Sequence, residues 1–364
     1  MTTGDICRYL DQQIPQALQE SYDNSGIQTG SYGTPVESAL LTIDVNEMVI
    51  EEAIRERCNL IISHHPLIFS PLRKVTDANP QQRAVILAIK NDITIYSAHT
   101  NLDSVYGGVS FKMATKLGLQ NIEILAPVGE KLVKLITFVP VSHIEKVRQA
   151  VFEAGAGNIG NYDSCSYQSA GEGTFRGNEN SNPFAGSRGE LHTEKEIRLE
   201  TVFPSFITSR VIKALIASHP YEEPAYDLVP LLNKWSHAGM GCTGILNNGM
   251  EVKTFLDHVK STFSTPYLRY SGPETGNIRS VALCGGSGVA LLRDAIAAGV
   301  DAFVTGDIKY HQFQEAGNDI LLIDAGHFET EKYSTEIIYD LIIKKFPNFA
   351  LRFSETITNP INFY

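Results

Sequence analysis

Residues 58–66, Cys58-Asn-Leu-Ile-Ile-Ser-His-His-Pro66, place two adjacent histidines directly after a short apolar run. Residues 60–63 have the length and composition of a buried strand. The same order, an apolar run followed by polar residues, ends in His99-Thr-Asn-Leu-Asp103 and again in His327-Phe-Glu-Thr-Glu331. Imidazoles and carboxylates that leave three strand ends are suited to meeting in one metal cluster. These stretches therefore predict a metal site where the strands end.

Predicted strands and helices alternate around these stretches. In the first part, the strands are residues 39–44, 60–63 and 93–97, and the helices are residues 49–57 and 80–91. In the last part, the strands are residues 281–284, 302–305 and 320–324, and the helices are residues 289–298 and 310–316. Such alternation is typical of a mostly parallel α/β sheet. We therefore expect two related α/β halves that form one metal-binding domain.

The middle of the chain has a different order of elements. They are a strand at 131–139, a helix at 142–154 capped by Ser142, strands at 162–169 and 196–203, a helix at 205–218 and a strand at 226–231. This β-α-β-β-α-β order indicates a ferredoxin-like insert. Residues 170–189, rich in Gly, Ser and Asn, are interpreted as a mobile loop rather than a ligand cradle. The predicted domains are residues 1–129 for the first half, 130–234 for the insert and 235–364 for the second half.

The composition is that of an ordinary globular protein, with 43% hydrophobic and 20% charged residues. No apolar run reaches the roughly 18 residues that a membrane span needs, and the N-terminus lacks the order of a secretory signal. Five scattered cysteines without a C-x-x-C pair predict reduced thiols in a cytoplasmic protein. The net charge of -11 counts against broad nucleic-acid binding, because phosphate contacts need clustered Lys and Arg.

The polar residues at the strand ends are candidate metal ligands. Adjacent side chains on an extended backbone point in different directions, so His64 and His65 could serve two different ions. Asp103 supplies a carboxylate from the neighbouring strand end. His327 and Glu331 share one face if a helix begins there, and Glu331 could then bridge two ions. A nitrogen and oxygen set without thiolate suits Zn, Mn, Fe or Ni, and the competing interpretation is polar residues of capped turns.

Three further residues have more than one possible role. His99 either ligates a metal or holds Asp103 in place. Asp307 and His311, at the corresponding strand end of the second half, are candidates for a general base or a substrate contact. An ordinary solvated turn is an equal alternative for both.

A glycine-rich turn follows the strand at 281–284. In Gly285-Gly-Ser-Gly288, backbone N–H groups could approach a phosphate at a helix N-terminus. The spacing matches neither G-x-G-x-x-G nor a Walker loop. A tight turn between strand and helix is therefore the favoured interpretation.

The chain resembles the NIF-three-like proteins, which are also called GTP cyclohydrolase type 2 homologues. The resemblance rests on motifs that run nearly end to end: Tyr22-Asp-Asn-Ser-Gly26 with Gly30, Ser63-His-His-Pro66, His99-Thr-Asn-Leu-Asp103, Gly285-Gly-Ser-Gly288, Thr305-Gly-Asp307, Gly326-His-Phe-Glu-Thr-Glu331 and Thr358-Asn-Pro-Ile361. The segment from about residue 131 to 232 resembles the extra domain of the long bacterial members, similar in fold to CutA and PII proteins.

This resemblance implies two divalent metal ions per chain, with zinc favoured over manganese, iron or nickel. The implied ligands are His64, His65, Asp103, His327 and Glu331. It also implies a homohexamer shaped like a hollow toroid, with the metal sites facing an internal cavity. Phe328 stands where some shorter relatives carry a second adjacent histidine, which puts a role for an extra imidazole there in doubt.

The expected function is a metal-dependent hydrolase that uses a metal-bridged water. The family label points to opening of the imidazole ring of GTP, so a nucleotide is a possible substrate. Related C–N or phosphoester hydrolysis would need the same groups. The alternative is a non-catalytic, metal-binding regulatory hexamer whose insert senses a ligand. A nucleic-acid binder is the weakest hypothesis because of the acidic charge.

Overall fold

The structure, a computed structural model, describes residues 1–362. Phe363 and Tyr364, the end of the predicted second half, lie outside the described residues. The protein is a mixed α/β structure with three sheets among these residues. It divides into two compact units: unit 1 contains Met1–Ala126 and the residues from Ala238 on, and unit 2 is Pro127–His237. No helix within residues 1–362 has the length and apolar character required to cross a membrane.

The elements are numbered in chain order. The strands are β1 (Gly26–Thr29), β2 (Ser38–Thr42), β3 (Leu60–Ser63), β4 (Thr94–Ser97), β5 (Leu119–Val128), β6 (Leu132–Pro140), β7 (Ser166–Phe175), β8 (His192–Pro204), β9 (Tyr226–Leu231), β10 (Trp235–Glu251), β11 (Arg269–Ser271), β12 (Asn277–Leu283), β13 (Ala302–Thr305), β14 (Leu321–Asp324) and β15 (Ala350–Phe353). The helices are α1 (Thr3–Gln13), α2 (Glu47–Arg55), α3 (Pro80–Lys90), α4 (Thr100–Ser104), α5 (Val109–Lys116), α6 (Ile144–Glu153), α7 (Thr208–Ser218), α8 (Val252–Thr262), α9 (Leu292–Ala297), α10 (Tyr310–Ala316), α11 (His327–Glu331) and α12 (Ser334–Lys345).

Local sequence signals explain where several helices begin. Asn46 accepts a hydrogen bond from the backbone N–H of Val49 and caps α2. Asn79 caps α3 in the same way, and Pro80 occupies the first turn, where its missing N–H costs nothing. Along the chain, α2 therefore lies between β2 and β3 and α3 lies between β3 and β4, as the alternating pattern predicts.

Unit 1 contains two sheets with parallel centres. In the first, the strand order is β1-β4-β3-β2-β15, with β2, β3, β4 and β15 parallel and β1 antiparallel at one edge. In the second, the order is β11-β14-β13-β12-β10-β5, with β12, β13 and β14 parallel. Parallel strands end at the same edge of a sheet. The residues after β3 and β4 therefore leave side by side, as do those after β13 and β14.

Both sheets of unit 1 contribute to one continuous core. Leu41 and Ile62 from the first sheet and Val304 and Ile323 from the second are fully or almost fully buried in this cluster. Helices α1, α5, α8 and α12 also supply side chains to this cluster. Each buried Leu or Ile contributes about 1.5–3 kcal/mol relative to an exposed one. This shared core fixes the strand ends of the two sheets relative to each other.

Unit 2 is a four-stranded antiparallel sheet in the order β7-β8-β6-β9, with two helices on one face. Leu135 of β6 and Leu199 of β8 pack against Val147 of α6 and Val211 of α7. The side chains of β9 are mostly exposed. The two helices therefore cover one face of β6 and β8, and the edge strand β9 is largely uncovered.

Several expectations for the middle segment were wrong in detail. Ser142 does not cap α6; it lies in a 3-10 turn, and its hydroxyl is paired with Nδ1 of His143. The strand expected at 162–169 is β7, which continues through Phe175 into the glycine-rich stretch. It continues because Gly171 and its neighbours pair with β8. The local composition does not reveal this pairing, since glycine is depleted in strands.

Candidate metal centre

His64 follows β3 and is completely buried. Its Nδ1 lies 2.8 Å from the carbonyl oxygen of Ala98. Because a carbonyl oxygen only accepts hydrogen bonds, Nδ1 carries the proton and Nε2 of the neutral ring presents a lone pair. That Nε2 lies 3.8 Å from Oδ1 of Asp103 and 3.7 Å from Oε1 of Glu331. Both Nε2 of His64 and Oδ1 of Asp103 are buried without a hydrogen-bond partner among the described residues.

His65 and His327 are oriented in the same way by carboxylates. Nδ1 of His65 donates to Oδ1 of Asp44 over 2.7 Å, and Nδ1 of His327 donates to Oδ2 of Asp307 over 2.6 Å. The two Nε2 atoms lie 3.3 Å apart, and each is 2.9 Å from Oε2 of Glu331. An imidazole whose outer nitrogen donates to a carboxylate or carbonyl is the usual arrangement of a metal-ligating histidine.

Glu331 connects these histidines, because its two oxygens face different partners. It lies on α11, four residues after His327, and is buried. Its Oε1 faces His64, and its Oε2 faces His65 and His327. Donor atoms of His64, His65 and Glu331 all lie within 4.8 Å of one another, a group that can hold a metal ion.

The spacing of the donor atoms fits a metal ion. Two nitrogen ligands on a tetrahedral zinc ion, each bonded at about 2.0–2.1 Å, lie about 3.3 Å apart. The Nε2 atoms of His65 and His327 have this separation. Lone pairs that converge at such distances repel one another unless a cation or proton lies between them. The site residues therefore fit a divalent ion, and without one they must take up protons.

The pKa values of the cluster express this need for positive charge. Burial lowers the pKa of His65, but the hydrogen bonds and charges of Asp44 and Glu331 outweigh it and raise the pKa to about 10. The pKa of His327 rises to about 9 by the same balance. Burial, opposed by the charge of the neighbouring imidazole and reinforced by Glu331, raises the pKa of Asp103 to about 6. A metal ion that binds here would have to displace protons from the imidazoles.

A second histidine and aspartate pair lies beside the cluster. Nδ1 of His99 donates to Oδ1 of Asp23 over 2.7 Å, and its ring centre is 5.4 Å from that of His64 and 5.3 Å from that of His65. Asp23 also accepts from the backbone N–H and the hydroxyl of Thr100. The hydrogen bonds with His99 and Thr100 outweigh burial and lower the pKa of Asp23. The partner of His99 Nδ1 is thus Asp23, and not Asp103, the partner expected if His99 holds that carboxylate.

The glycine-rich turn makes room for Glu331. Gly286 has a φ of 58°, and a Cβ there would lie 2.0 Å from Oε1 of Glu331. The backbone N–H of Gly286 donates to the hydroxyl of Thr330, and that of Gly288 donates to the hydroxyl of Thr305. Because these N–H groups have partners in the protein, the tight-turn interpretation fits better than a phosphate cradle.

The candidate residues of the second half lie in different places. Asp307, exposed and with a φ of 56°, holds His327. His311 is exposed on α10, and its Nδ1 is paired with Gln314. Among the described residues, no contact joins His311 to the cluster. Its role as a base or substrate contact stays a prediction without support from this geometry.

Sequence reasoning missed the carboxylates that orient the histidines. Asp23 appeared only inside the motif Tyr22-Asp-Asn-Ser-Gly26, and Asp44 only as the last residue of a predicted strand. Asp44 is held in turn by the hydroxyl of Thr358, which donates to its Oδ2 over 2.8 Å. A polar residue at the end of an apolar strand was the available signal for Asp44. No local signal links Thr358 to it, because the two residues are far apart in the chain.

Comparisons with known proteins agree over the whole chain. The family model described as Duf34/NIF3 (NGG1p interacting factor 3) matches residues 1–360. A Halalkalibacterium halodurans protein named GTP cyclohydrolase 1 type 2 homolog is 40% identical over 352 residues, covering 92% of this chain and 95% of that protein. A Bacillus subtilis protein of the same name is 37% identical over 368 residues, covering 98% and 97%.

A solved structure supports the same relationship. A Bacillus cereus protein described as related to NIF3 is 38% identical, with a TM-score of 0.88 over 100% of this chain and 99% of that chain. Reduced HcgD from Methanocaldococcus jannaschii, at 17% identity and a TM-score of 0.58 over 98% of each chain, shares the fold. With the family model matching residues 1–360, the chain belongs to the Duf34/NIF3 (NGG1p interacting factor 3) family.

Proposed function

We propose that this protein binds two divalent metal ions and acts as a metal-dependent hydrolase. The proposed ligands are His64, His65, Asp103, His327 and Glu331. One observation carries the proposal: three imidazoles donate their Nδ1 protons away from the site, and their Nε2 atoms converge on the two oxygens of one buried glutamate. A purely structural cluster of polar turn residues has no need for this common orientation.

The two oxygens of Glu331 define two proposed metal positions. The inner position has Nε2 of His64, Oδ1 of Asp103 and Oε1 of Glu331. The outer position has Nε2 of His65, Nε2 of His327 and Oε2 of Glu331. Nitrogen and oxygen ligands without thiolate suit zinc, with manganese, iron and nickel as alternatives.

Divalent ions at these positions would lower the pKa of a coordinated water and polarise a substrate carbonyl or phosphoryl oxygen. The protein supplies the orientation of the ligands through Asp44, Asp307 and the carbonyl of Ala98. Nδ1 of His99 donates to Asp23, which leaves Nε2 as the ring nitrogen that can accept a proton. We therefore propose His99 as the general base; it could instead ligate a metal through the same Nε2.

The name of the relatives suggests the substrate class. A GTP cyclohydrolase-like reaction would open the imidazole ring of a guanine nucleotide, and related C–N or phosphoester bonds are alternatives. The second candidate function is a non-catalytic metal-binding regulator with a ligand-sensing insert. Its support is a cavity of about 740 Å³ lined only by residues of unit 2.

We also propose that the chain consists of two related α/β halves with a ferredoxin-like insert between them, and that it forms a homohexamer. The strand order β7-β8-β6-β9 with two helices on one face supports a ferredoxin-like insert between two related α/β halves. Each half contains three parallel strands, β2 to β4 in the first and β12 to β14 in the second. In each half, polar clusters follow the last two of these strands in the chain, and this likeness supports the relation between the halves. The family resemblance suggests a homohexamer, and light scattering of the purified protein would measure its mass.

Metal content tests the proposal directly. The protein is purified without an affinity metal column and compared with Glu331→Gln by elemental analysis. Glu329→Gln is the matched control, because Glu329 lies buried on the same short helix but accepts from Asn359 outside the cluster. We expect about two ions per chain in the parent and the control, and at most about one in Glu331→Gln.

Turnover separates the two candidate functions. The metal-loaded parent is assayed with GTP, a phosphomonoester and a cyclic amide, alongside both variants. Turnover that Glu331→Gln abolishes and Glu329→Gln retains supports the hydrolase. Full metal content without turnover of any of the three favours the regulator, and near-zero metal in the parent after adding Zn, Mn, Fe or Ni contradicts both.

A further inference from the structure

Unit 2 contains a cavity that the proposed metal chemistry does not use. Its volume is about 740 Å³, and all of its lining residues lie between Phe138 and Ala225. Binding cavities for small molecules typically have volumes of about 300–1,000 Å³. The cavity is therefore large enough for an organic ligand rather than only water or an ion.

Aromatic side chains form much of the wall. The rings of Phe175 and Tyr221 have centres 5.6 Å apart, and those of Phe184 and Tyr221 are 6.2 Å apart. Phe138 also lines the cavity. Ring faces attract a cation within about 6 Å of the ring centre, most strongly where water is excluded.

A buried carboxylate lies in the same cavity. Glu196 is 8% exposed, and its Oε1 accepts a hydrogen bond of 2.7 Å from the hydroxyl of Tyr221. Its other oxygen, Oε2, has no hydrogen bond within the described part of the chain. A Cβ at Gly173 would lie 2.2 Å from this Oε2, so glycine at that position leaves the carboxylate its space. A carboxylate oxygen that lines a cavity and has no partner in the protein can accept a hydrogen bond from a ligand, and a cationic donor forms the strongest such bond.

The charges around the cavity also favour a cation. Glu172, Glu222 and Glu223 line it in addition to Glu196. Of the two arginines in the lining, Arg198 forms an ion pair with Glu200, which does not line the cavity. Arg176 is exposed. The lining is therefore acidic as well as aromatic.

We propose that this cavity binds a small organic cation, a protonated amine on an aromatic or apolar body, with Glu196 as the partner of the charged group. The aromatic wall formed by Phe175, Phe184 and Tyr221 encloses the body of the ligand. The proposal does not rest on the metal site, because every residue that carries it belongs to unit 2.

Calorimetric titration of the full-length protein with three probes of one shape tests the proposal. Tryptamine is cationic, tryptophol is its neutral analogue and indole-3-acetate is anionic. We expect tryptamine to bind about 10-fold or more tightly than tryptophol, as for one charge-assisted hydrogen bond, and indole-3-acetate to bind most weakly. Choline and spermidine extend the test to cations without a ring.

Two variants locate the binding, and one serves as the control. Glu196→Gln should remove the preference for tryptamine over tryptophol. Phe184→Ala, at a half-exposed position with little risk to folding, should weaken the binding of both. Glu153→Gln changes an exposed glutamate of the same unit outside the cavity and should leave binding unchanged.

Equal affinity for tryptamine and tryptophol, or tightest binding of indole-3-acetate, would overturn the proposal. So would the absence of saturable binding of tryptamine up to millimolar concentration. The titrations are repeated with Glu331→Gln, which should bind the cation normally. Failure of the metal proposal is thereby distinguished from failure of this one.

Discussion

The proposed inner and outer metal positions share one glutamate but differ in burial and in spacing. The side chains of His64 and Asp103 are 0% and 8% exposed, whereas those of His65 and His327 are 24% and 31% exposed. Donor atoms at the inner position lie 3.7–3.8 Å apart, and those at the outer position lie 2.9–3.3 Å apart. The donor atoms of the outer position thus have a spacing close to that around a tetrahedral ion, and they face solvent. The inner position is enclosed, and its donor atoms would have to move closer together to bind an ion.

The two positions also differ in what holds their histidines. A backbone carbonyl orients His64, and this partner is present whatever side chain stands at residue 98. Carboxylates orient His65 and His327. Substitutions of Asp44 or Asp307 can therefore change the orientation of the outer histidines. The orientation of His64 depends instead on the backbone that follows β4. The comparison suggests a stable inner ion and an exchangeable outer ion.

The largest effect is expected on metal content, from substituting a ligand that belongs to only one of the two proposed positions. Asp103→Asn should remove the inner ion and retain the outer one, because the one imidazole within 4 Å of the Asp103 carboxylate, among the described residues, is that of His64. His327→Ala should do the reverse. Elemental analysis after dialysis should find about one ion per chain in each variant. Loss of both ions, or of neither, in both variants would contradict independent positions.

A smaller effect is expected from the pair beside the cluster. Asp23→Asn should lower kcat by about 10²–10⁴-fold, the usual contribution of a general base. The amide oxygen is expected to stay with the N–H of Thr100, so the amide NH2 faces Nδ1 of His99 and favours the wrong tautomer of the ring. Metal content should stay at the parent level. If metal is lost together with activity, His99 is a ligand, and the proposed division of roles is wrong.

The carboxylates that accept hydrogen bonds from His65 and His327 should have a still smaller effect, on the affinity for the outer ion. Asp307→Asn should weaken the outer ion by about 10–100-fold and leave the inner ion unchanged, since within residues 1–362 the only imidazole that Asp307 contacts is that of His327. Competition with a chelator measures both affinities. Glu329→Gln is the control from the same region, and equal weakening of both ions would show that the positions are not separate.

The smallest effect is expected on stability, from Glu52, which holds residues 354–356 of the C-terminal segment. The same segment contains Thr358, the hydrogen-bond donor to Asp44. Glu52 is buried and accepts hydrogen bonds from Ser354, Glu355 and Thr356, and these bonds outweigh burial and hold its pKa below 4.5. A lowered folded pKa means that this stabilisation is present above the ordinary pKa and disappears as the pH falls through the folded pKa.

Glu52→Gln should therefore cost about 1–3 kcal/mol of unfolding free energy at neutral pH. The stability difference between parent and variant should shrink below about pH 4.5. Denaturant unfolding at several pH values measures this difference. A difference that is constant with pH would show that the ionised carboxylate is not responsible.

Local patterns predicted the parts of the fold that depend on local signals. The apolar runs at β3 and β13 and the helix at α10 have the predicted bounds. The two strands are short continuous apolar runs that polar or turn residues follow directly. The strand β10 was not predicted, because Gly239, Gly241 and Gly244 lower its strand propensity. It forms because it pairs with β12, an interaction between distant segments.

The site shows the same limit. The residues at the strand ends were visible as candidates because polar side chains interrupt apolar runs. The hydrogen bonds of Asp23 and Asp44, the space that Gly286 leaves and the division of partners between the oxygens of Glu331 all arise from contacts across the fold. No pattern in a single sequence specifies such contacts.

Anomalous diffraction from crystals grown with zinc would test the central claim most directly. Data collected on both sides of the zinc absorption edge should show two peaks per chain, one beside each oxygen of Glu331. The inner peak should adjoin His64 and Asp103, and the outer peak should adjoin His65 and His327. A single peak, or zinc that does not contact Glu331, would contradict the account.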